Sequence, residues 1–428
     1  MNIRFYNAKI LTLTNGFQIQ KGQLWVEGNR ISYIGDGKDN EKAQKAKEWD
    51  REIDVAGNLL MPGFKNAHTH SGMTFLRSYA DDLPLLDWLH KQIFPMEKRI
   101  NEEDIYYFCK LAILEYLSSG ITACFDMYLS PDAMAKASID CGFRTVMVDG
   151  LNDFTHSLEE LEACFEKYNH DNELIHYCLG FHGEYTTSIS LLKGVAALSQ
   201  KYKAPVFTHN SETSAEVLEC IQRHNATPTV FLDSLGMFEY GGGGYHCVHM
   251  TEDDLNIFQA KKLTVVTNPG SNVKLASGTA PIKKMMDMGI NIAIGTDGPA
   301  SNNCLDMFRE MFLTTGLAKL KENDASVVDA NAVLSMATLG GAKAMGLSDC
   351  DSLAVGKRAD LIIIDLSCPN MQPIHNITKN LVYSGSKQNV KLTMVNGKVL
   401  YEDGAYFIDQ SPEELYGKIE SIVNRIKK

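Results

Sequence analysis

The sequence predicts a (β/α)8 TIM-type barrel with a small β-sandwich domain formed by the N- and C-terminal segments. Three observations support this fold. Short apolar segments alternate with helical segments eight times between residues 58 and 350. Both ends of the chain are instead rich in short strands and turns. Histidine and acidic residues recur where the central apolar segments end, and a barrel of parallel strands places its active site there.

The two ends of the chain have the pattern of short strands. Residues 1–57 alternate strand-like runs with turns such as Glu27-Gly28-Asn29, and apolar runs at 359–365 and 392–401 repeat this style. We therefore predict that 1–57 and 351–410 form the two parts of the sandwich. Residues 411–428 are predicted to form a final helix, because Pro412 and two glutamates suit a first helical turn.

Residues 58–350 form the predicted barrel. A helix is expected from Glu102 to Ser119, since Asn101 suits its N-cap and Gly120 its end. A doubly wound sheet is the alternative fold, but it normally carries its ligand residues at one switch point only. The eight predicted strands are 59–70, 121–128, 144–151, 175–183, 204–211, 245–250, 263–268 and 290–297.

Composition narrows the class of protein. The chain has 428 residues, 44% of them hydrophobic, and a formal net charge of -12, which supports neither a nucleic-acid nor an anionic-membrane partner.

Its 10 cysteines include no CxxC pair, so free thiols in a reducing cytoplasm are expected. The first residues lack the apolar core of a signal peptide, and no apolar run approaches the roughly 20 residues of a membrane span. We predict a cytoplasmic enzyme with a small-molecule substrate.

A metal site is predicted from the His68-Thr69-His70 sequence at the end of the first barrel strand. Residues two apart on a strand point to the same side, so the two imidazoles converge on one point. On the eighth strand, Ala293, Gly295 and Asp297 share the face opposite the isoleucines. Small residues facing the barrel interior place Asp297 inward at the top, although a turn aspartate is the ordinary alternative.

Three further strands end in candidate functional residues. His209 follows the fifth strand, and Glu212 lies in the loop three residues on, where its carboxylate can carry a proton for a metal-activated water. His246 is preferred over His249 as the site-facing histidine of the sixth strand. His182 ends the fourth strand. Alone, each of these residues also fits a structural role in a loop or a core.

Five motifs carry a family resemblance: PGFKNAHTH at 62–70, THNSET at 208–213, HCVH at 246–249, GTDG at 295–298 with SNN at 301–303, and GKRAD at 356–360. Taken together, they resemble the amidohydrolase superfamily, and within it the branch of methylthioadenosine/S-adenosylhomocysteine deaminases that neighbours the chlorohydrolases. The resemblance covers essentially the whole chain. The other familiar zinc-deaminase signature, HxE followed by PCxxC, is missing.

The resemblance implies roles for individual residues. It implies one divalent ion rather than two, because the fourth strand lacks the bridging lysine of binuclear members. Zn²⁺ is the simplest choice for this ion, with Fe²⁺ or Mn²⁺ as alternatives. Glu212 and His246 match the residues that handle the proton and orient the reacting group. His182 matches a purine contact and Glu97 a ribose contact. The implied metal ligands are His68, His70, His209 and Asp297.

One departure from the family bears on the substrate. Asp149 stands where nucleoside-handling relatives carry an arginine, so we predict Asp149, together with Trp88, as a substrate contact. A second expected arginine is replaced near His156. Since arginine suits an anionic substituent, a neutral nucleoside fits better than S-adenosylhomocysteine. The loop from Ser71 to Trp88, with apolar residues such as Met73, is a candidate pocket wall or a packed Ω-like loop.

The predicted function is hydrolytic deamination of an amino-substituted purine nucleoside, with release of ammonia. Glu212 transfers the proton, while His246 and Asp297 stabilise the tetrahedral species. The alternatives are deamination of a free base, pterin or other amino-heterocycle, or hydrolysis of another leaving group. A metal-free assembly protein is the alternative outside enzymes, and the intact ligand positions argue against it. A homo-oligomer is expected.

Overall fold

Strands dominate both ends of the chain and the centre of the molecule. The computed structural model describes residues 1–38, 47–83, 85–170 and 172–428, with the backbone alone at Leu85 and Leu86. Its strands are β1 (Asn2–Leu11), β2 (Ile19–Glu27), β3 (Arg30–Gly35), β4 (Arg51–Asp54), β5 (Leu59–Pro62), β6 (Phe64–Thr69), β7 (Ile121–Met127), β8 (Arg144–Val148), β9 (Ile175–Gly183), β10 (Val206–Asn210), β11 (Gly242–His246), β12 (Thr264–Thr267), β13 (Asn291–Ile294), β14 (Leu361–Ile364), β15 (Val390–Val395), β16 (Lys398–Glu402) and β17 (Ala405–Tyr406).

The eight strands β6–β13 form the predicted parallel barrel, each hydrogen-bonded to the next in chain order. Polar contacts join the last strand to the first: the Asp297 amide donates to the His68 carbonyl at 3.0 Å, and the Thr296 amide donates to Asn66 Oδ1 at 2.9 Å. Ala293 lies in the interior cluster, whereas Ile292 and Ile294 pack towards the outer helices. The predicted parity of the eighth strand is therefore confirmed.

The first predicted barrel strand is wrong in its extent. Residues 59–70 divide at Gly63 into two strands of different sheets, because β5 pairs with β1 and β14 while β6 pairs with β7. A Cβ on Gly63 would lie 2.1 Å from the Thr122 side chain, so only glycine allows this close passage. The terminal sheet thus reaches Pro62, beyond the predicted boundary at residue 57.

The two chain ends assemble together, as the sequence predicts. Hydrogen bonds join their strands into one nine-stranded mixed sheet with the order β17-β16-β15-β14-β5-β1-β2-β3, and β4 pairs with β1. Its apolar side chains, such as Phe5, Leu24 and Ile363, form their own core cluster. A buried ion pair between Arg144 and Asp360, with Nε to Oδ2 at 2.7 Å, links this domain to the barrel.

The helices cover the outside of the barrel. The predicted helix after Asn101 is confirmed with a complete capping box, and the final helix begins at Pro412. No helix in the described part of the chain has both the length and the apolarity needed to cross a bilayer. The α-helices are Leu85–Trp88, Phe94–Glu97, Glu102–Ser118, Pro131–Cys141, Leu158–Tyr168, Ile189–Tyr202, Ser214–His224, Pro228–Ser234, Glu252–Ala260, Pro269–Lys274, Ile282–Asp287, Met307–Glu322, Ala330–Ser335, Gly341–Ala344, Ile377–Tyr383 and Pro412–Ile426.

Short 3-10 and π segments complete the fold. The π segment Leu89–Ile93 joins the helices on either side of it into one helical stretch over 85–97. This local widening precedes Pro95, whose missing amide and ring interrupt regular helical hydrogen bonding. A second π segment spans Met336–Gly340, and 3-10 turns span Ser71–Leu76, Glu184–Thr186, Pro369–Met371 and Lys387–Asn389.

Candidate metal centre and active site

Histidine and aspartate side chains from the ends of three strands, β6, β10 and β13, converge at the carboxyl end of the barrel. His68 Nε2 lies 3.2 Å from His209 Nε2 and 3.6 Å from Asp297 Oδ1. His70 Nε2 lies 3.2 Å from the same aspartate oxygen. A tetrahedral zinc ion with bonds of about 2.0–2.1 Å separates its ligand atoms by roughly 3.3 Å. The observed spacings therefore suit four ligands around one divalent ion.

The opposite ring nitrogens are arranged to leave the inward nitrogens free for a metal. Nδ1 of His209 donates to the His182 carbonyl at 2.6 Å, and Nδ1 of His70 donates to the Met127 carbonyl. These bonds fix the tautomer that leaves a lone pair on each Nε2. His68 is held differently, since its ring stacks on Tyr245 with centroids 3.7 Å apart. The histidines are thus oriented as metal ligands are.

The electrostatics of this cluster also suit a cation. Burial and the surrounding imidazoles lower the pKa of His68 and of His209, which favours the neutral form that binds metals. Burial opposes ionisation of Asp297, but the neighbouring imidazoles of His70, His246 and His68 hold its pKa well below the usual range. The arrangement forms a binding site for a divalent metal ion.

Glu212 and His246 lie beside this cluster as a second pair. Their closest side-chain atoms, Oε2 and Nε2, are 3.8 Å apart, and His246 Nε2 is 3.9 Å from Asp297 Oδ2. Asn272 Oδ1 lies 2.8 Å from His246 Nδ1, and the Ser277 hydroxyl donates to Glu212 Oε1 at 3.3 Å. Burial raises the pKa of Glu212. A carboxylate and an imidazole therefore face the metal site together.

Three residues of the site have a left-handed backbone conformation. Ser211, His246 and Asp297 have φ values of 53°, 68° and 57°, which are uncommon for residues other than glycine. Ser301 Oγ and the Gly298 amide each donate to the Asp297 carboxylate at 2.8 Å. The loops after three barrel strands are thus held in unusual conformations that direct these side chains to one point.

A cavity of about 470 Å³ opens above the cluster and is lined by three of the four predicted substrate contacts, Trp88, Glu97 and His182. Apolar side chains form much of its wall, which suits a heterocyclic ligand. The Ser71–Trp88 region contributes Met73 and Trp88, as expected for a pocket wall. The other lining residues are His70, Leu89, His90, Phe94, Pro95, Lys98, Met127, Tyr128, Leu129, Gly150, Asn152, Phe154, Thr155, His156, Tyr185, Thr186, His209, Glu212, His246, Leu275, Asp297 and Ser301.

Two of these contacts have pKa values displaced by burial. Burial raises the pKa of Glu97 to about 7, although the nearby Tyr128 hydroxyl and His70 oppose the shift. Burial lowers the pKa of His182 to about 4, so its imidazole is neutral at pH 7. Thr186 Oγ1 lies 2.9 Å from Nδ1 of His182. Glu97 thus presents a titratable carboxyl to the cavity, and His182 presents a neutral imidazole.

Asp149 is placed differently from the prediction. It is absent from the described residues that line the cavity, because its buried carboxylate lies behind His156, with Oδ1 2.8 Å from Nδ1. Its other oxygen accepts from the Tyr177 hydroxyl at 2.6 Å. His156 lines the cavity instead. The sequence indicates this region only through its missing arginines. It does not indicate that His156 lines the cavity, because contacts between residues 149, 156 and 177 leave no local sequence pattern.

Comparison with known proteins agrees with this geometry. The sequence profile of the amidohydrolase family matches residues 59–400. A 5-methylthioadenosine/S-adenosylhomocysteine deaminase from Thermoanaerobacter pseudethanolicus is 38% identical over 412 residues, which cover 94% of each chain. A deaminase of the same name from Moorella thermoacetica is 39% identical over 411 residues, covering 95% of each chain.

Solved structures show the same architecture. A zinc-bound adenosine deaminase from Xanthomonas campestris superposes with a TM-score of 0.92 at 31% identity, covering 100% of this chain and 98% of that one. An atrazine chlorohydrolase from Arthrobacter aurescens has a TM-score of 0.88 at 20% identity, covering 98% of this chain and 100% of that one. At 20% identity, the similarity to the chlorohydrolase shows only that the fold is shared.

Proposed function

Because this chain belongs to the amidohydrolase family, we propose that it is a metal-dependent deaminase of an adenosine derivative. The reaction adds water across the ring C=N bond at the amino-substituted carbon, then breaks the exocyclic C–N bond, which releases ammonia and leaves a carbonyl. The observation that carries this proposal is the convergence of Glu212 and His246 on the His/Asp cluster beneath a largely apolar cavity. Similarity to deaminases over nearly the full length supports it.

We propose zinc as the native ion, with His68, His70, His209 and Asp297 as its ligands. The ligand set of three imidazoles and one carboxylate and the ligand-atom spacings support this choice. When bound, the ion supplies the Lewis acidity that makes water nucleophilic near neutral pH. A cytoplasmic location and assembly into a homo-oligomer stay predictions from the sequence.

The protein's own side chains then perform the proton transfers and orient the substrate. Glu212 accepts a proton from the attacking water and returns it to a ring nitrogen, for which its burial beside His246 is suited. His246 and Asp297 stabilise the oxygen that is added to the reacting carbon in the tetrahedral species. Neutral His182 contacts the purine ring, and Glu97 accepts hydrogen bonds from ribose hydroxyls.

Replacing Glu97 with alanine should harm nucleosides more than free bases. We expect kcat/KM for nucleosides to fall about 10- to 100-fold, because hydrogen bonds to a charged group contribute about 1.5–3 kcal/mol. Free bases should change less than about threefold, since they lack ribose. Steady-state ammonia release measures both, and Glu102→Ala on an exposed helix start is the control. Equal losses for both substrate types would exclude the ribose role.

The same contact predicts a pH dependence. Burial raises the pKa of Glu97 to about 7, so its carboxylate forms as the pH rises through that value. Hydroxyl groups donate to the carboxylate more strongly than to the protonated acid. The KM for nucleosides should therefore fall between about pH 6 and 8, while the KM of the Glu97→Ala variant stays flat across this range.

Ammonia release from a substrate panel tests the proposed function directly. The panel contains adenosine, 5-methylthioadenosine, S-adenosylhomocysteine, adenine, guanine and pterin. We expect the uncharged nucleosides to have the highest kcat/KM, because no arginine is among the described residues that line the cavity. Preference for a free base or pterin would favour the alternative deaminases, and no ammonia from any compound would overturn the proposal.

A further inference from the structure

Glu216 is buried at the start of the helix Ser214–His224, and its carboxylate is bonded to the loop that carries Glu212. Its Oε1 accepts from the Ser211 amide at 2.9 Å. Its Oε2 accepts from the amides of Glu212 at 2.8 Å and Thr213 at 3.4 Å. Three successive backbone amides of the catalytic loop thus converge on one side chain.

This arrangement exceeds ordinary helix capping. Glu216 does form a capping box with Thr213 at the start of the helix Ser214–His224. A capping box requires only the bond to the N-cap amide, which here belongs to Thr213. The buried box of Thr251 and Asp254 has that minimal form, since Asp254 accepts one backbone amide and otherwise hydroxyl groups. The two additional bonds of Glu216 reach the residues before the cap.

The same loop segment is held from its other side. The Ser211 carbonyl accepts from the amides of Val248 and His249 at 3.1 and 2.9 Å, just after the strand that carries His246. Ser211 has a left-handed φ of 53°, which needs support from its surroundings to persist. The loop that carries Glu212 is therefore fixed through the Ser211 carbonyl on one side and by Glu216 on the other.

We propose that Glu216 is a positioning residue whose carboxylate holds the 211–213 backbone so that Glu212 faces His246 and the metal ligands. The effect of Glu216 on turnover rests on the proposed function. Its effect on the loop rests only on the hydrogen bonds described above. A glutamine retains the size but replaces one acceptor oxygen with an amide NH₂, which cannot accept from a backbone N–H. The Glu216→Gln variant therefore removes part of this support.

Kinetics of the metal-loaded protein test the proposal with the best substrate of the panel. We expect Glu216→Gln to lower kcat about 10- to 100-fold, as small misplacements of catalytic groups do, with KM changed less than about threefold and metal content unchanged. Glu216→Asp, which keeps the charge, should recover part of kcat. Asp254→Asn, the matched buried capping variant, should lower Tm but keep kcat within about twofold. Equal kcat losses in Glu216→Gln and Asp254→Asn would overturn the proposal.

Hydrogen exchange gives a readout independent of turnover. Amides of residues 211–213 should exchange at least about tenfold faster in Glu216→Gln than in the wild type, and should be unchanged in Asp254→Asn. Unchanged exchange at 211–213 in Glu216→Gln would overturn the proposal. If the wild type deaminates no compound, the proposed function fails, and exchange alone still decides whether Glu216 holds the loop.

Discussion

Replacing Glu212 with glutamine should abolish nearly all turnover while the metal stays bound. The glutamine cannot accept the proton of the attacking water, and proton transfer by a positioned side chain contributes about 10²- to 10⁴-fold to rate. The metal should remain because Glu212 lies beside the proposed ligands without joining them, 3.8 Å from His246 Nε2. Steady-state ammonia release and metal stoichiometry of the same preparation measure the two effects.

The control for this variant is Glu219→Gln. Glu219 lies on the helix that follows the catalytic loop, half-exposed and 3.6 Å from Arg223, so the same chemical change there should leave kcat within about twofold. Full activity of Glu212→Gln would remove its assigned role. Loss of the metal together with activity would instead make Glu212 part of the metal site.

Much of the barrel and its centre could be predicted because each depends on local patterns. Strand parity favours an inward Asp297 beside the alternative of a turn residue, and the structure confirms the parity through Ala293 and Ile292. The HxH spacing likewise predicted that His68 and His70 converge, and both nitrogens lie within 3.6 Å of Asp297. Periodicity fixes which face a side chain occupies, and parallel strands bring their ends to one rim.

The features that sequence reasoning missed depend on long-range contacts. The segment 59–70 contains Pro62-Gly63, a dipeptide typical of turns, but both halves are buried strands and the sequence does not show that they belong to two different sheets. Asp149 was expected to contact the substrate, but Tyr177 and His156 occupy its carboxylate from elsewhere in the chain. Such pairings are set by tertiary packing, which neither propensity nor spacing encodes.

Removing the metal should abolish activity and lower the stability of the fold together. Dialysis against a chelator should bring ammonia release below about 1% of the initial rate, and stoichiometric Zn²⁺ should restore it, because the bound ion supplies the Lewis acidity of the reaction. A ligand at 100 times its Kd stabilises the folded state by about 2.7 kcal/mol, so Tm should fall measurably in the metal-free protein.

The His68→Asn variant should reproduce both losses without a chelator, and its matched control distinguishes a metal site from a general effect of removing histidine. His68 is fully buried in the cluster, with its Nε2 3.2 Å from that of His209. The His176→Asn control changes an exposed histidine of β9 and should retain metal, activity and Tm.

Wild-type protein that carries no divalent metal and keeps its Tm after chelation would instead favour the assembly role. Restoration by Fe²⁺ or Mn²⁺ but not by Zn²⁺ would reassign the ion while leaving the ligand set intact, because the same imidazoles and carboxylate suit all three metals.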